Sequence, residues 1–199
     1  MNVATAYDYG SKYAHASLPE RLVLGNFFRT AGAMIRRLDI ASALEVGCGE
    51  GYSTRRLSRL LPPGTRFEAS DVEQRLVDAT RAQNPAVPVS SESIYRLQRE
   101  TNAVDLVICL EVLEHLENPA AALRELTRVS RRYLLLSVPR EPLFRAINMA
   151  RLKYVKALGN TPGHIQHWSA SQFQRLVAHY AEPVKTRRPV PWTLVLARV

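Results

Sequence analysis

The stretch from Leu44 to Gly51, L-E-V-G-C-G-E-G, decides the fold of this chain. An apolar run over residues 41–46 leads into it, and an amphipathic segment over residues 52–61 follows at once. This order predicts a strand, a glycine-rich turn and a helix, which together hold a nucleotide-like ligand over a helix N-terminus. Glycine is needed in such a turn because the backbone takes positive φ or approaches the ligand too closely for a Cβ atom.

The spacing of the three glycines narrows the kind of ligand. Gly47, Gly49 and Gly51 form the pattern G-x-G-x-G, followed directly by Tyr52. In the dinucleotide fingerprint G-x-G-x-x-G the third glycine comes one residue later. The spacing therefore disfavours an NAD(P)-binding protein, although the turn alone leaves that class open.

Outward from this turn, strands and helices alternate along the chain. This alternation predicts an α/β fold with a doubly wound, mostly parallel sheet and right-handed crossovers. The two closing stretches have no helix between them, so we expect them to pair antiparallel at one edge of the sheet. The predicted strands are 41–46, 66–70, 87–90, 104–110, 133–138, 184–189 and 192–198, and the predicted helices are 22–38, 52–61, 73–82, 119–129, 143–158 and 169–180.

Three blocks in this order carry a family resemblance. With Glu45 before the glycines, the first block resembles motif I of the class I S-adenosylmethionine (SAM) dependent methyltransferases. Asp71 after the second strand and the block D-L-V-I-C-L-E-V-L-E-H-L over residues 105–116 extend the likeness to roughly residues 40–140. The resemblance, to methyltransferases of type 11/12, implies a seven-stranded Rossmann-like sheet with an antiparallel edge strand. It also implies an enzyme that uses SAM and releases S-adenosylhomocysteine.

The resemblance assigns cofactor-binding roles to residues at the carboxyl ends of the strands, where such sheets bind their ligands. It implies that Gly47, Gly49 and Gly51 let the backbone approach the methionine and ribose parts of SAM. Glu45 is expected to meet the cationic amino group, directly or through water. Asp71 is expected to accept hydrogen bonds from the ribose hydroxyls, with a helix N-cap as the alternative.

Four further positions complete the predicted cofactor site. Glu92, Ser93 and Ile94 fall where the family contacts adenine. Glu92 stands where the family often has Asp, so either its carboxylate or Ser93 meets the exocyclic amine, and Ile94 packs on the ring. Leu110 is expected to pass under the sulfonium, with a plain core leucine as the alternative.

The candidates for chemistry follow the fourth strand. Glu111, Glu114 and His115 have i, i+3, i+4 spacing, so a helical turn would place them on one side. With His164, which precedes Trp168 by four residues, they resemble the Mg²⁺-binding E-x-x-E-H pattern of ubiquinone-biosynthesis and small-RNA 2′-O-methyltransferases. The metal-free alternative, which we favour, has His115 and His164 as catalytic residues facing the acceptor.

The methyl acceptor does not follow from these residues. We expect a small-molecule or lipid-like acceptor that is methylated at oxygen, carbon or nitrogen. The alternatives are an RNA 2′-O-methyltransferase that uses the metal site and a SAM-binding protein without methyl transfer.

Size and composition bound the remaining expectations. A chain of 199 residues predicts a single domain over 1–199, with an N-terminal helical cap over 1–38 and an acceptor-side insertion over 140–168. Tyrosines 7, 9 and 13 are candidate lid residues. We expect no transmembrane segment, because no apolar run approaches the ~18 residues of a span. We expect no signal peptide either, because residues 1–10 carry Asp8 and no basic cluster ahead of an apolar core. Two cysteines form no disulfide framework, which suits a cytoplasmic location.

The positive charge is concentrated near the C-terminus. The formal net charge is +9, and residues 140–199 hold ten Lys+Arg against two Asp+Glu. This C-terminal third either attracts an anionic partner, such as a phosphorylated metabolite, a nucleic acid or a membrane surface, or is a solvated arginine-rich surface. The sequence carries no prediction of oligomeric state.

Overall fold

A computed structural model describes residues 17–199 of the chain. Within this part, seven strands form one sheet with helices on both of its faces. The strands are β1 Ser42–Val46, β2 Arg66–Asp71, β3 Val89–Ser91, β4 Val104–Leu110, β5 Ser130–Pro139, β6 Glu182–Arg187 and β7 Trp192–Arg198. The helices are α1 Leu18–Ile35, α2 Tyr52–Leu57, α3 Gln74–Gln83, α4 Pro119–Val129, α5 Leu143–Ala150 and α6 Ala170–Ala178, with 3₁₀ turns at Leu113–His115 and Val155–Ala157.

The strand order is β3-β2-β1-β4-β5-β7-β6. The first five of these strands are parallel, and β7 runs antiparallel between β5 and β6. The predicted α/β class, the doubly wound seven-stranded sheet and its antiparallel edge are therefore confirmed. The order reverses between β1 and β4, so the ligand-binding crevice of such a sheet lies at their carboxyl ends.

The core is built from both faces of the central strands. β4 is buried along its whole length, as expected of a parallel strand covered on both sides. Its Ile108 packs in the layer that contains Phe27 of α1, and its Val107 packs in the layer that contains Leu123 of α4. The one charged residue in this strand, Asp105, accepts hydrogen bonds from the backbone N–H groups that begin β1.

Local sequence explains where several helices begin. Ser17 and Glu20 form a capping box at the start of α1, and Ser169 and Gln172 form another at the start of α6. Pro119 occupies the first turn of α4, where its missing N–H group costs nothing. The predicted bounds of α4, β4 and β7 agree with the structure, and apart from the helix predicted over 143–158 the other bounds differ by a few residues.

The predicted helix over 143–158 is wrong. Helix α5 ends at Ala150, and the chain then turns back on it. The physical reason is the buried side chain of Asn148, whose Nδ2 donates to the carbonyl oxygen of Gly159 at 2.9 Å. This contact closes a loop instead of letting the helix continue, and helical periodicity alone does not reveal it.

The N-terminal cap is described only in part. Helix α1 packs on the sheet through buried side chains such as Phe27 and Phe28. The rest of the predicted cap, residues 1–16 with the three candidate lid tyrosines, lies outside the described residues. The single-domain interpretation and the acceptor-side role of residues 140–168 stay predictions. Among residues 17–199, no helix has the length and apolarity needed to cross a membrane.

Candidate cofactor and acceptor site

The glycine turn after β1 is held in a conformation that favours glycine at all three positions. Gly47, Gly49 and Gly51 have φ of +80°, +57° and +85°, in the left-handed region. A Cβ on Gly47 would lie 2.5 Å from the Val112 side chain, whereas a Cβ on Gly49 would meet nothing within 4 Å. Gly47 therefore lets the turn after β4 pack on the glycine turn, and Gly49 faces open space that a ligand can enter.

Asp71, the last residue of β2, is tied to the glycine turn. Its Oδ2 accepts a hydrogen bond from the Gly49 N–H group at 2.9 Å, and its Oδ1 accepts one from the Glu73 N–H group at 3.1 Å. The N-cap of α3 is Glu73 and not Asp71, so the alternative role as an N-cap is not what the structure shows. Each carboxylate oxygen keeps further acceptor capacity for a ribose hydroxyl.

Glu45 is almost fully buried beneath the glycine turn, with 1% of its surface exposed. The Thr54 hydroxyl of α2 donates to its Oε2 at 2.6 Å. Burial raises the pKa of Glu45 to about 7, although hydrogen bonds from Ser53 and Thr54 oppose this, and the charge of Asp71 raises the pKa further. A cation placed nearby, such as an α-ammonium group, would favour the ionised carboxylate.

A cavity of about 460 Å³ opens beside Asp71, at the carboxyl ends of β2 and β3. Glu92 and Ser93, two residues of the predicted adenine contact, line this cavity. Ile94, predicted to pack on the ring, is buried in the main core instead, and the exposed side chain of Val72 supplies an apolar wall. The full lining is Val72, Ser91, Glu92, Ser93, Arg96 and Gln98.

The carboxylate of Glu92 is engaged by the protein itself. Its oxygens accept hydrogen bonds from the Arg99 guanidinium and the Gln98 N–H group at 2.9 Å each, and a third from the Ser90 hydroxyl. Burial opposes ionisation of Glu92, but the hydrogen bonds from Arg99 and Ser90 outweigh it and lower the carboxyl pKa. Arg99 also pairs with Glu68, so this network orders the 92–98 loop. Of the two predicted partners for the adenine amine, this arrangement favours Ser93.

The turn after β4 brings together only part of the predicted cluster. Glu111 has φ of +58° and lies outside the 3₁₀ turn, and its Oε1 accepts a hydrogen bond from the Ser137 hydroxyl at 2.8 Å. The prediction that one helical turn places Glu111 beside Glu114 and His115 is therefore wrong, because the chain bends sharply at Glu111. Leu110, immediately before the bend, is buried at the end of β4.

The two predicted catalytic histidines do meet. The rings of His115 and His164 lie 4.8 Å apart in an edge-to-face arrangement, and the ring of Phe144 lies 5.6 Å from His164. The Nδ1 atom of His115 is 3.0 Å from the Gly163 carbonyl oxygen. Because a carbonyl only accepts, Nδ1 carries the proton and Nε2 is the basic nitrogen of the neutral ring.

Backbone hydrogen bonds hold these histidines together. The N–H groups of Ile165 and Gln166 both donate to the Glu114 carbonyl oxygen at 3.0 Å, and the Gln166 side chain donates to the Leu116 carbonyl oxygen. The loop between α5 and α6 is thereby fastened to the turn after β4. These contacts are non-local, so the sequence pattern alone does not show them.

Three of the four predicted metal ligands lie close enough to share an ion. Glu114, His115 and His164 can each present one ligand atom so that all three atoms lie within 4.8 Å of one another. One carboxylate and two imidazoles suit a transition metal better than Mg²⁺, which prefers oxygen ligands. These three residues can therefore supply three ligands to a divalent transition metal. Without Glu111 they do not form the predicted four-ligand Mg²⁺ site.

Glu141 is a carboxylate that the sequence analysis missed. It follows β5, and its N–H group donates to the Trp168 carbonyl oxygen, which places it beside the histidine-bearing loop. Burial raises the pKa of Glu141, partly offset by a hydrogen bond from the Arg145 N–H group and by the nearby His167. Within residues 17–199, nothing hydrogen-bonds its buried Oε1. Only the contact with Trp168, far along the chain, reveals this position.

Comparison with known proteins agrees with this geometry. The sequence matches the methyltransferase domain family over residues 14–180. It is 31% identical over 134 residues to the ubiquinone biosynthesis O-methyltransferase of Xanthomonas oryzae, covering 61% of this chain and 54% of that protein. The fold resembles a SAM-dependent methyltransferase from Aquifex aeolicus (TM-score 0.73, 17% identity, 97% and 99% of the two chains). It also resembles magnesium protoporphyrin IX methyltransferase from Synechocystis with bound S-adenosylhomocysteine (TM-score 0.66, 17% identity, 92% and 87%).

Fold and site together define a Rossmann-like domain with a glycine turn at the β1–β4 switch point. The chain belongs to the methyltransferase domain family, within the class I SAM-dependent methyltransferases. The predicted family and its cofactor, SAM, are thereby confirmed. The chain spans about half the length of the ubiquinone O-methyltransferase relatives it matches.

Asp71 permits a direct test of the cofactor site. We expect Asp71→Ala to weaken SAM binding by roughly 1.5–3 kcal/mol, the usual worth of hydrogen bonds to a charged group. Isothermal titration calorimetry measures this loss. Asp105→Ala is the matched control. The Asp105 carboxylate also accepts backbone N–H groups, but at the amino end of β1, away from the carboxyl ends of the strands. The Asp105→Ala variant should lower the melting temperature and leave SAM affinity unchanged, and unchanged affinity in Asp71→Ala would remove that residue from the site.

Because of Glu45, we expect the stability of the ligand-free chain and its affinity for the cofactor to depend on pH in opposite directions. The folded pKa of Glu45, about 7, exceeds the ordinary 4.5, so its contribution to the stability of the ligand-free chain is lost as pH rises from 4.5 to 7, on the order of 3 kcal/mol. The cationic amino group needs the carboxylate, so affinity for S-adenosylhomocysteine should instead fall as pH falls below about 7. Melting curves and titrations from pH 5 to 7.5 measure both. Parallel pH profiles for Glu45→Gln and the natural chain would contradict this role.

Proposed function

We propose that this chain transfers the methyl group of SAM to a hydroxyl oxygen of a small, largely apolar acceptor. The single observation that carries the proposal is the pair of imidazoles, His115 and His164, beside Phe144. Val112 packs on Gly47 of the cofactor loop, so the turn that bears His115 adjoins the expected position of SAM. A base at this position is of use when the acceptor must lose a proton, as a hydroxyl does.

The chemistry needs little more than positioning and one proton acceptor. SAM supplies a methyl group already activated by its sulfonium. The acceptor oxygen forms a bond to the methyl carbon while the carbon–sulfur bond breaks, and the bonding electrons stay on sulfur to give S-adenosylhomocysteine. The hydroxyl proton passes to the Nε2 atom of His115 or to the ring of His164. The Glu114 carboxylate, 4.0 Å from Nε2 of His115, stabilises the imidazolium that results.

Two further observations support an apolar acceptor. The ring of Phe144 beside His164 suits contact with a flat, uncharged ring. Phe144 belongs to helix α5, which comes after β5 in the segment where the acceptor is expected to bind. The relative in Xanthomonas oryzae is an O-methyltransferase of ubiquinone biosynthesis, whose name fits a hydroxylated and apolar substrate. Oxygen as the acceptor atom, the cytoplasmic location and methyl transfer itself stay proposals for this chain.

The RNA-methylating and non-catalytic alternatives are separated by a label-transfer experiment. The chain is incubated with methyl-labelled SAM and three acceptors: a dihydroxybenzene with an alkyl tail, the matching aniline, and a short RNA. We expect label in the hydroxylated ring alone. Label in the RNA would replace the proposed acceptor class. No label in any of a broad set of hydroxyl acceptors, despite SAM binding, would favour the non-catalytic alternative.

The role of a metal is tested in the same assay. We favour proton transfer by the histidines without an ion, so activity should survive a chelator and show no gain with Mg²⁺. Loss of activity in the chelator with recovery in Mn²⁺, while SAM affinity stays unchanged, would instead assign Glu114, His115 and His164 to a metal.

A further inference from the structure

The carboxylate of Glu92 belongs to the cavity beside Asp71, where the adenine of SAM is expected, but it presents almost no surface to a ligand. Only 4% of its side chain is exposed. Its Oε1 accepts hydrogen bonds from Arg99 and from the Ser90 hydroxyl, and its Oε2 accepts one from the Gln98 N–H group. A carboxylate has about four lone-pair sites, so the protein itself uses most of the acceptor capacity of this one.

The ion-pair partner of Glu92 holds the carboxylate in this position. The side chain of Arg99 is 16% exposed and pairs with Glu68 of β2 as well as with Glu92. The carbonyl oxygen of Arg99 accepts a hydrogen bond from the Arg128 guanidinium of α4 at 2.8 Å. If the Glu92 carboxylate turned toward a ligand, the largely buried guanidinium would lose one of its two carboxylate partners, which is costly. The carboxylate therefore stays turned away from the base.

The other polar side chains around this cavity are of a different kind. In the part of the chain that the structure describes, Glu92 is the one acidic residue of the lining, beside Ser91, Ser93, Arg96 and Gln98. A serine hydroxyl and a glutamine amide each hold a donor and an acceptor, and a guanidinium only donates. Such groups pair with the 6-oxo group of hypoxanthine at least as well as with the 6-amino group of adenine.

A carboxylate that met the base would discriminate strongly between these two purines. An ionised carboxylate only accepts hydrogen bonds, so it binds an amino group and is left without a partner beside an oxo group. The loss of one hydrogen bond to a charged group corresponds to about tenfold to a hundredfold in affinity. The ratio of affinities for the amino and oxo forms of one ligand therefore reports whether a carboxylate contacts the base.

We propose that the cofactor site does not bind the 6-amino group of adenine through a carboxylate. It therefore binds S-inosylhomocysteine, in which hypoxanthine replaces adenine, about as tightly as S-adenosylhomocysteine. Arg99 is the positioning residue for this selectivity, because it keeps the Glu92 carboxylate away from the base. The inference goes beyond the proposed methyl transfer and does not depend on it, since binding alone measures it.

The test is a calorimetric titration of the full chain with S-adenosylhomocysteine and with S-inosylhomocysteine. We expect the two dissociation constants to agree within about tenfold. A larger preference for S-adenosylhomocysteine would overturn the inference, as would failure of the chain to bind S-adenosylhomocysteine at all.

Glu92→Gln shows directly whether this side chain contacts the base. Glutamine keeps an oxygen that accepts but cannot form the ion pair with Arg99, so the loop over residues 92–98 loses part of its support. We expect both ligands to bind more weakly by the same factor, with the ratio of their affinities unchanged. Loss of affinity for S-adenosylhomocysteine alone would assign the amino group to Glu92 and overturn the inference.

Ser93→Asp is the converse variant, because it adds a carboxylate to the lining of the cavity. It should create a preference of at least about tenfold for S-adenosylhomocysteine. Ser171→Asp is the matched control, since Ser171 is exposed on α6, which packs on β6 and β7 at the edge of the sheet opposite β3. It should leave the ratio unchanged. An unchanged ratio in Ser93→Asp would contradict the position given to the base.

Discussion

Gly49→Val is expected to abolish SAM binding while the chain stays folded. A Cβ at this position meets nothing within 4 Å in the ligand-free chain, so the protein itself tolerates the added volume. The valine would instead occupy the open space before the glycine turn, where the cofactor must approach the backbone. We expect affinity for SAM to fall by more than about a hundredfold, which corresponds to roughly 2.7 kcal/mol, as measured by calorimetry.

The control for this variant must carry the same backbone strain. A valine at φ of +57° costs stability wherever it is placed, so a loss of binding alone is ambiguous. Gly64 has φ of +81° and also faces open space. It lies just before the amino end of β2, away from the carboxyl ends where SAM is expected. Gly64→Val should lower the melting temperature to a similar extent and bind SAM normally. Normal binding by Gly49→Val would show that the glycine turn is not the cofactor loop.

The second large effect concerns the histidine pair. We expect His115→Ala and His164→Ala each to lower turnover about 10²–10⁴-fold, the usual contribution of a general base, while SAM affinity is spared. The effects should not add in the double variant, because the two rings are in contact and act on one proton. Single-turnover rates with the acceptor found by label transfer measure the loss.

His179→Ala is the matched control for these two variants. His179 is exposed at the end of α6, where its Nδ1 lies 2.7 Å from the Arg175 carbonyl oxygen. Its removal should leave turnover unchanged. Full turnover in both His115→Ala and His164→Ala would exclude the pair from catalysis, leaving the reactivity of SAM and the positioning of the acceptor as the mechanism.

Features governed by local sequence were predictable. The glycine turn, the continuous apolar run of β4 and the proline at the start of α4 each have a local physical cause, and the structure has them where they were expected. The doubly wound α/β sheet follows from the alternation of strands and helices together with the handedness of crossovers. The contact between His115 and His164 was suggested by the family pattern alone.

Features that depend on distant contacts were not predictable. The loop that replaces the predicted helix after residue 150 is closed by Asn148 and Gly159. Glu111 leaves the cluster because it takes a left-handed conformation and accepts a hydrogen bond from Ser137 on β5. Glu92 is occupied by Arg99, which no motif of the family resemblance includes. In each case the deciding partner lies seven or more residues away along the chain.

Small signals pointed to some of the residues that were missed. Val72 follows Asp71 directly, and an apolar residue after a strand-ending carboxylate is a candidate wall for a ring. Asp105 interrupts an otherwise apolar strand, which already indicates a buried carboxylate with strong partners. Part of the positive charge of the C-terminal third is paired with carboxylates of the chain. Arg151 and Lys153 pair with Glu20, and Arg198 lies 3.9 Å from Glu182.

We expect the carboxyl ends of β1, β2 and β4 to bind SAM. The most direct test is a calorimetric titration of the purified chain with SAM, S-adenosylhomocysteine and NADH under the same conditions. We expect micromolar binding of SAM and of S-adenosylhomocysteine with one site per chain, a rise in melting temperature with either, and no heat from NADH. Absence of SAM binding, or binding of NADH in its place, would contradict it.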